Sequence, residues 1–172
     1  NCLWDIAGKA AGLPVAQLLG GAKQRCQAYF NIGGRNAVDL IQSSQKALED
    51  GYTALKDHLP FSPRENERVF RLIRESVGDD VALLHDAALV DYTYEEALHI
   101  GRVLEDLNFV WLEEPLPDRR FEDYIRLTER LDIPVAGAET LMNEPELSAL
   151  WLKSGAVDVL RVNGRHGTTA VL

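Results

Sequence analysis

Two periods take turns along this chain. Short runs of apolar, β-branched and aromatic residues alternate with longer stretches whose apolar residues recur every three to four positions. The first pattern marks buried strands and the second amphipathic helices. Residues 2–12 have helical spacing and stop at Gly12 before Pro14, and Val15 to Leu19 is a short apolar turn closed by Gly20 and Gly21. A repeat then sets in. Strands are expected at Cys26–Ile32, Thr53–Leu59, Val81–Asp86, Phe109–Glu113, Pro134–Glu139 and Val157–Asn163. Helices are expected between them at Ala37–Glu49, Pro63–Val77, Thr93–Asp106, Phe121–Leu131 and Glu144–Lys153, with a further one starting near Thr168. Glycines at 33, 34, 51 and 78 punctuate the repeat.

Strand–helix alternation demands parallel pairing with right-handed crossovers. Two architectures satisfy it: an open doubly wound sheet and a (β/α)8 barrel. No G-x-G-x-x-G motif follows the first strand, so a dinucleotide site is not supported. The even repeat length favours the barrel. A barrel needs eight strands and about 250 residues; six strands leave two open edges, which folded proteins avoid. The expectation is therefore an incomplete α/β barrel, residues 1–172 forming one partial domain, with two more strands after Leu172 in a longer parent protein.

Composition narrows the picture little. With 46% hydrophobic and 26% charged residues, the chain reads as an ordinary soluble globular protein. Its net charge of −9 argues against a nucleic-acid partner, whose phosphates need a basic footprint. No run of about 18 apolar residues calls for a membrane span. Cys2 and Cys26 form no CxxC pair, and no signal peptide is visible, so a reducing, cytoplasmic setting is expected.

The chemistry gathers where strands end. Phe109 to Leu116 reads Phe-Val-Trp-Leu-Glu-Glu-Pro-Leu: a buried strand running into two carboxylates and a proline. An unpaired carboxylate inside such a strand is costly, so the strand should surface at Glu113. Alternation puts Trp111 and Glu113 on one face and Leu112 and Glu114 on the other, with Pro115 holding Glu114 extended. The other strands end alike, on Lys56 and His58, on Asp86, on Glu139 and on Asn163. The steps Lys56–Asp86, Asp86–Glu113, Glu113–Glu139 and Glu139–Asn163 are 30, 27, 26 and 24 residues, each one βα unit. In a parallel barrel these ends share one face, where active sites of the fold sit. Three carboxylates from adjacent strands repel unless a cation or protons offset them. Oxygen ligands on a rigid frame suit Mg2+. Solvated strand ends would look similar residue by residue. Lys56 and His58 point the same way, and either could serve as a general base or as an ion-pair partner. Arg161 shares a face with Asn163 and can line the barrel or bind substrate. His85 points away from Asp86 and His99 lies mid-helix, so neither takes a role.

The chain resembles the barrel domain of the enolase superfamily, in the mandelate racemase/muconate lactonizing enzyme branch. The resemblance rests on Trp4-Asp-Ile-Ala-Gly-Lys-Ala-Ala-Gly-Leu-Pro-Val15 with Leu18-Leu-Gly-Gly21, on Trp111-Leu-Glu-Glu-Pro-Leu116 and on Gly137-Ala-Glu139. It implies that Asp86, Glu113 and Glu139 hold Mg2+ and that Lys56 is the first lysine of the branch's Lys-x-Lys pair. It also implies a separate capping domain, a small carboxylate substrate and a homo-oligomeric protein. There are departures. His58 stands where the second lysine is usual, and Asp86-Ala87-Ala88 replaces Asp-x-Asn. Asn163 replaces the aspartate that partners a seventh-strand histidine, and Gly167-Thr168 replaces a glycine pair. An Asn cannot hold a His cationic, so that arm is altered, supplied by His166, or absent.

Sites of that superfamily use a Lys or His base with Mg2+ stabilising an enediolate, a property of the superfamily and not one read from this chain. The resemblance thus implies an Mg-dependent enzyme that removes the proton α to a carboxylate. Its leading reaction is dehydration of a sugar acid, a lyase activity, with Lys56, His58 and Asn163 in the catalytic positions. Racemisation, epimerisation and cycloisomerisation are the isomerase alternatives. A barrel that kept the metal ligands but lost the acid–base pair is a further alternative of a different class.

Overall fold

The structure, a computed structural model, describes residues 1–21, 23–141 and 144–162. Six strands form one sheet, all parallel and in sequence order: β1 (Phe30–Asn31), β2 (Ala54–Asp57), β3 (Ala82–Asp86), β4 (Phe109–Glu113), β5 (Val135–Gly137) and β6 (Val159–Leu160). Helices α1 (Cys2–Ala11) and α2 (Val15–Leu18) precede the sheet. Then α3 (Ala37–Glu49), α4 (Pro63–Val77), α5 (Tyr94–Asp106), α6 (Phe121–Thr128) and α7 (Pro145–Lys153) each carry the chain from one strand to the next. A doubly wound sheet reverses its strand order at a switch point. This sheet does not, so the fold is a segment of a β/α barrel.

Local chemistry sets the helix ends. Ser62 accepts a hydrogen bond from the Glu65 amide, with Pro63 pre-set for the first turn of α4. Thr93 and Glu96 cap each other's backbone in a reciprocal box at the start of α5. The strands are shorter than their apolar runs. Cys26 to Ala28 are exposed and outside any strand, so β1 shrinks to two residues, although the Ile32 amide still reaches the Lys56 carbonyl at 2.9 Å. The expected fifth strand stops at Gly137, because Ala138 turns into the left-handed region at φ 69° and Glu139 opens a 3-10 turn, Glu139–Leu141. The expected end of the sixth strand at Asn163, His166 and the helix near Thr168 lie outside the described residues. Among those residues no helix is long and apolar enough to cross a membrane.

Alternation sorts the strand residues into two layers. Leu55, Leu83, Leu112 and Val135 are buried in the core with Phe70, Ile73, Ile100, Leu104, Tyr124 and Leu127 from the helices. Lys56, Asp86 and Glu113 turn to the opposite, barrel-facing side. Strand β4 breaks the simple rule. Leu83 pairs with Phe109 but His85 pairs with Leu112, so β4 carries one extra residue between those pairings. The irregularity lets Phe109 and Leu112 both face the helices; Phe109 meets Phe70 at 5.5 Å between ring centres. It leaves Trp111 and Glu113 together on the barrel side.

Candidate active site

Strand register brings the site together. Asp86 and Glu113 are direct partners across β3 and β4, and Lys56 on β2 lies level with Leu84, one step below. Lys56 is 2% exposed, and its Nζ donates to Asp86 Oδ2 and to Glu113 Oε2, both at 2.8 Å. Two anions on one buried ammonium is a mutual arrangement: none of the three could be desolvated alone. His58, just past β2, places Nε2 2.9 Å from Asp86 Oδ2 while a third of its side chain stays open to solvent. Asp86 Oδ1 accepts from the Ala88 amide.

Glu113 is fully buried and spends both oxygens. Oε2 also accepts from Trp111 Nε1 at 3.1 Å, and Oε1 accepts from Arg161 Nε at 2.8 Å. Arg161 then reaches Glu139 Oε1 at 3.7 Å. Charges therefore alternate along the mouth in the order Asp86, Lys56, Glu113, Arg161, Glu139. The three carboxylates do not meet at one point: among the described residues no three acidic, histidine or cysteine side chains converge closely enough to hold an ion. Lys56 and Arg161 lie between them instead, and offset their repulsion. In donor chemistry the set still fits a hard divalent cation, because Asp86, Glu113 and Glu139 offer oxygen alone from a rigid frame.

The electrostatics follow from this pairing. Burial works against charge on Lys56, but the bonds to Asp86 and Glu113 outweigh it and raise its pKa above the ordinary lysine value. Asp86 shows the converse: burial opposes its charge, yet His58 and Lys56 hold its carboxyl well below the usual carboxylate range. The hydrogen bond to Asp86 raises the His58 pKa. Arg161 is raised as well, desolvation being outweighed by Glu113.

Several contributors were not evident in the sequence. The Tyr29 ring lies 5.3 Å from Lys56 Nζ and meets Trp111 edge-on, giving the mouth an aromatic wall. Glu114 is not extended as the following proline suggested, but left-handed at φ 49°. Its amide bonds the Ala136 carbonyl, and its Oε1 accepts from the Glu139 amide at 2.8 Å, so the strained turn ties the end of β4 to the end of β5. Tyr124 braces the same turn by donating to the Leu116 carbonyl. A cleft of about 420 Å3 opens here, lined by Ala88, Val90, Glu114, Asp118, Arg119 and Glu139 among others. Asn163, the expected sixth-strand group, and His166 lie outside the described residues.

Burial, with Asp118, Glu113 and Asp86 nearby, pushes the Glu114 carboxyl up to about 7 despite the bond from the Glu139 amide. A carboxyl raised this way costs nothing below the unfolded value, near 4.5. The cost grows as pH rises and is complete above about 7. The full shift corresponds to at most about 3 kcal/mol, and partial exposure reduces it. Glu114→Gln, which keeps the acceptor for the Glu139 amide, should therefore stabilise the protein by about 1–2 kcal/mol at pH 8 and by nothing at pH 4. Urea denaturation at both pH values, with a chelator present, checks this; equal effects at the two would contradict it.

Comparison with known proteins agrees with this fold. The enolase C-terminal domain-like model matches residues 39–166. An arabinonate dehydratase from Saccharolobus solfataricus is 34% identical over 168 residues, covering 95% of this chain and 44% of its own length. A D-galactarolactone cycloisomerase from Agrobacterium fabrum is 32% identical over 167 residues, covering 92% and 43%. The crystal structure of a D-glucarate dehydratase from Agrobacterium tumefaciens, complexed with magnesium, superposes with a TM-score of 0.86 at 34% identity, over 93% of this chain and 45% of that one. The chain thus spans less than half the length of the curated relatives it matches. With the family model matching most of the chain, and the six-stranded parallel sheet matching the relatives' fold, the chain belongs to the enolase C-terminal domain-like family.

Proposed function

We propose that this chain supplies the metal-holding and proton-removing part of an Mg-dependent enzyme that dehydrates a sugar acid, beginning with the proton α to its carboxylate. The observation that carries the reading is the buried Lys56 bridging Asp86 and Glu113, with the accessible His58 on the same strand exit. Asp86, Glu113 and Glu139 would hold Mg2+, which when bound supplies Lewis-acid charge to the substrate carboxylate. The chain is read as one partial barrel domain over residues 1–172, with its substrate site completed by the rest of a longer protein, as the length of its relatives supports. Named relatives support the class of reaction, two being dehydratases and one a cycloisomerase.

The residues divide the work by burial. Lys56 spends two of its three donors on Asp86 and Glu113, and these carboxylates lock its charge, so it acts as a fixed positive charge beside the developing anion. His58 is the accessible partner. Its Nε2 is held by Asp86, which orients the ring and leaves Nδ1 as the atom that takes the α-proton. The same ring then returns the proton to the departing β-hydroxyl, which leaves as water. One base on one side suffices for that elimination, whereas racemisation needs a second group on the opposite face.

The test uses the full-length protein with Mg2+ and a panel of aldonic and aldaric acids in D2O. The expected result is a 2-keto-3-deoxy product from at least one acid. Deuterium exchange or ring isomerisation without dehydration would keep the α-proton step but replace dehydratase by isomerase. Neither exchange nor product with any acid would overturn the enzyme reading and leave a non-catalytic barrel. His58→Ala should lower the rate by about 10²–10⁴-fold; full activity in that variant would remove His58 as the base.

A further inference from the structure

Directly behind the mouth, on the helix-facing side of the same two strands, lies a second buried polar pair. Asp57 sits between Lys56 and His58, and His85 immediately precedes Asp86. The two are register partners across β2 and β3. Asp57 is 2% exposed and His85 0% exposed, and His85 Nδ1 lies 2.7 Å from Asp57 Oδ1. The same Asp57 oxygen accepts from the Leu59 amide at 3.2 Å, in the turn that follows His58. A carboxylate accepts and does not donate, which assigns the donor role in the shared bond to His85 Nδ1. The ring packs edge-on against Phe70 at 4.6 Å, and its Nε2 has no hydrogen-bond partner among the described residues.

Packing alone does not call for this pair. One step earlier on the same face, Leu55 and Leu83 fill the equivalent paired positions with apolar groups. A buried pair is costly to desolvate, and an unpartnered ring nitrogen adds to the cost. What the pair provides, and leucines do not, is a directional bond between the residues flanking the site. We propose that Asp57 and His85 are positioning residues: their bond fixes β2 against β3, and fixes the turn after His58, so that Lys56 and His58 meet Asp86. The inference rests on the reading of Lys56, His58 and Asp86 as site residues.

Three variants of the full-length protein separate positioning from packing. Asp57→Val/His85→Leu replaces the pair with apolar volume. His85→Ala removes the bond and leaves space; His85→Asn leaves similar space but keeps an amide to donate to Asp57. Two readouts report on the mouth without any substrate. One is the Trp111 indole N–H resonance, since that group shares Glu113 Oε2 with Lys56. The other is the affinity for Mg2+ alone by calorimetry. Positioning predicts that the double variant and His85→Ala both shift the indole resonance and weaken Mg2+ binding about tenfold or more, the range for groups that orient metal-holding residues. His85→Asn should stay near wild type in both readouts although its melting temperature falls like that of His85→Ala. Should the double variant fail to fold, the Ala–Asn contrast decides. Indistinguishable Ala and Asn variants at the mouth, or a folded double variant with both readouts unmoved, would overturn the proposal. A wild-type protein that binds no Mg2+ would defeat the metal reading instead, and the indole resonance would still judge the pair.

Discussion

Lys56→Met is expected to remove activity and stability together. The side chain is buried between two carboxylates, each 2.8 Å from its Nζ. Methionine fills the volume but, among the described residues, leaves Asp86 with His58 and the Ala88 amide, and Glu113 with Arg161 and Trp111. Removing one partner from a buried charge pair costs about 3–5 kcal/mol, most of it the penalty on the anions left behind. On the proposed reaction the variant also loses the fixed charge beside the developing anion. A rate loss of about 10²–10³-fold follows for one preorganised group. Chemical denaturation without metal and kinetics at saturating Mg2+ measure the two losses separately. Lys56→Arg should recover less than half of either, because the planar guanidinium cannot occupy the point between two oxygens that an ammonium fills. A Met variant as stable and as active as wild type would show that Lys56 is neither the brace nor the charge it is taken to be.

Much of this site could be read along the chain because strand ends in a parallel barrel recur at nearly constant spacing. Lys56, Asp86, Glu113 and Glu139 are one βα unit apart, and each sits where an apolar run stops. The helices were legible for a similar reason: Pro63, Thr93 and Gly78 act within one turn of themselves. What stayed hidden depends on partners distant in sequence. The extra residue in β4 leaves no mark on the pattern, since Val110 and Trp111 suit a regular strand as well as an irregular one. Glu114 looked extended because proline disfavours a helical neighbour. The structure places it in the left-handed region, where the bond from the Glu139 amide, 25 residues on, fixes it. His85 was rightly turned away from Asp86 by alternation, but its partner Asp57, 28 residues earlier, could not be inferred from periodicity. Arg161 was ambiguous for want of knowing which acid it would meet. Convergence of the three carboxylates is where spacing promised more than the structure gives: two cations stand between them.

At the opposite end of the strands, Arg74→Met is expected to destabilise the protein by about 3 kcal/mol while leaving the chemistry alone. Arg74 lies in the last turn of α4, 7% exposed, and its guanidinium meets backbone carbonyls in place of a carboxylate. Nε donates to Leu107, Nη1 to Gly78 and Val81, and Nη2 to Asn108, all within 2.8–3.0 Å. These carbonyls belong to the turns leading into β3 and β4, so one side chain ties two αβ junctions together. Desolvation lowers its pKa, with Asp79 as the acid that offsets it, yet a guanidinium keeps its proton regardless. A hydrogen bond from a charged donor is worth about 1.5–3 kcal/mol, but the four are not additive and the variant is relieved of a buried charge. A net loss of about 3 kcal/mol corresponds to a melting temperature roughly 6–12 °C lower for a domain of this size. Arg74→Lys should recover only part of it, having three donors and no planar fork. In a barrel this end of the strands serves stability and the other end serves function. Activity measured well below the melting temperature should accordingly match wild type. A thermally normal Arg74→Met protein would refute the brace, and a stable but inactive one would place Arg74 in the chemistry after all.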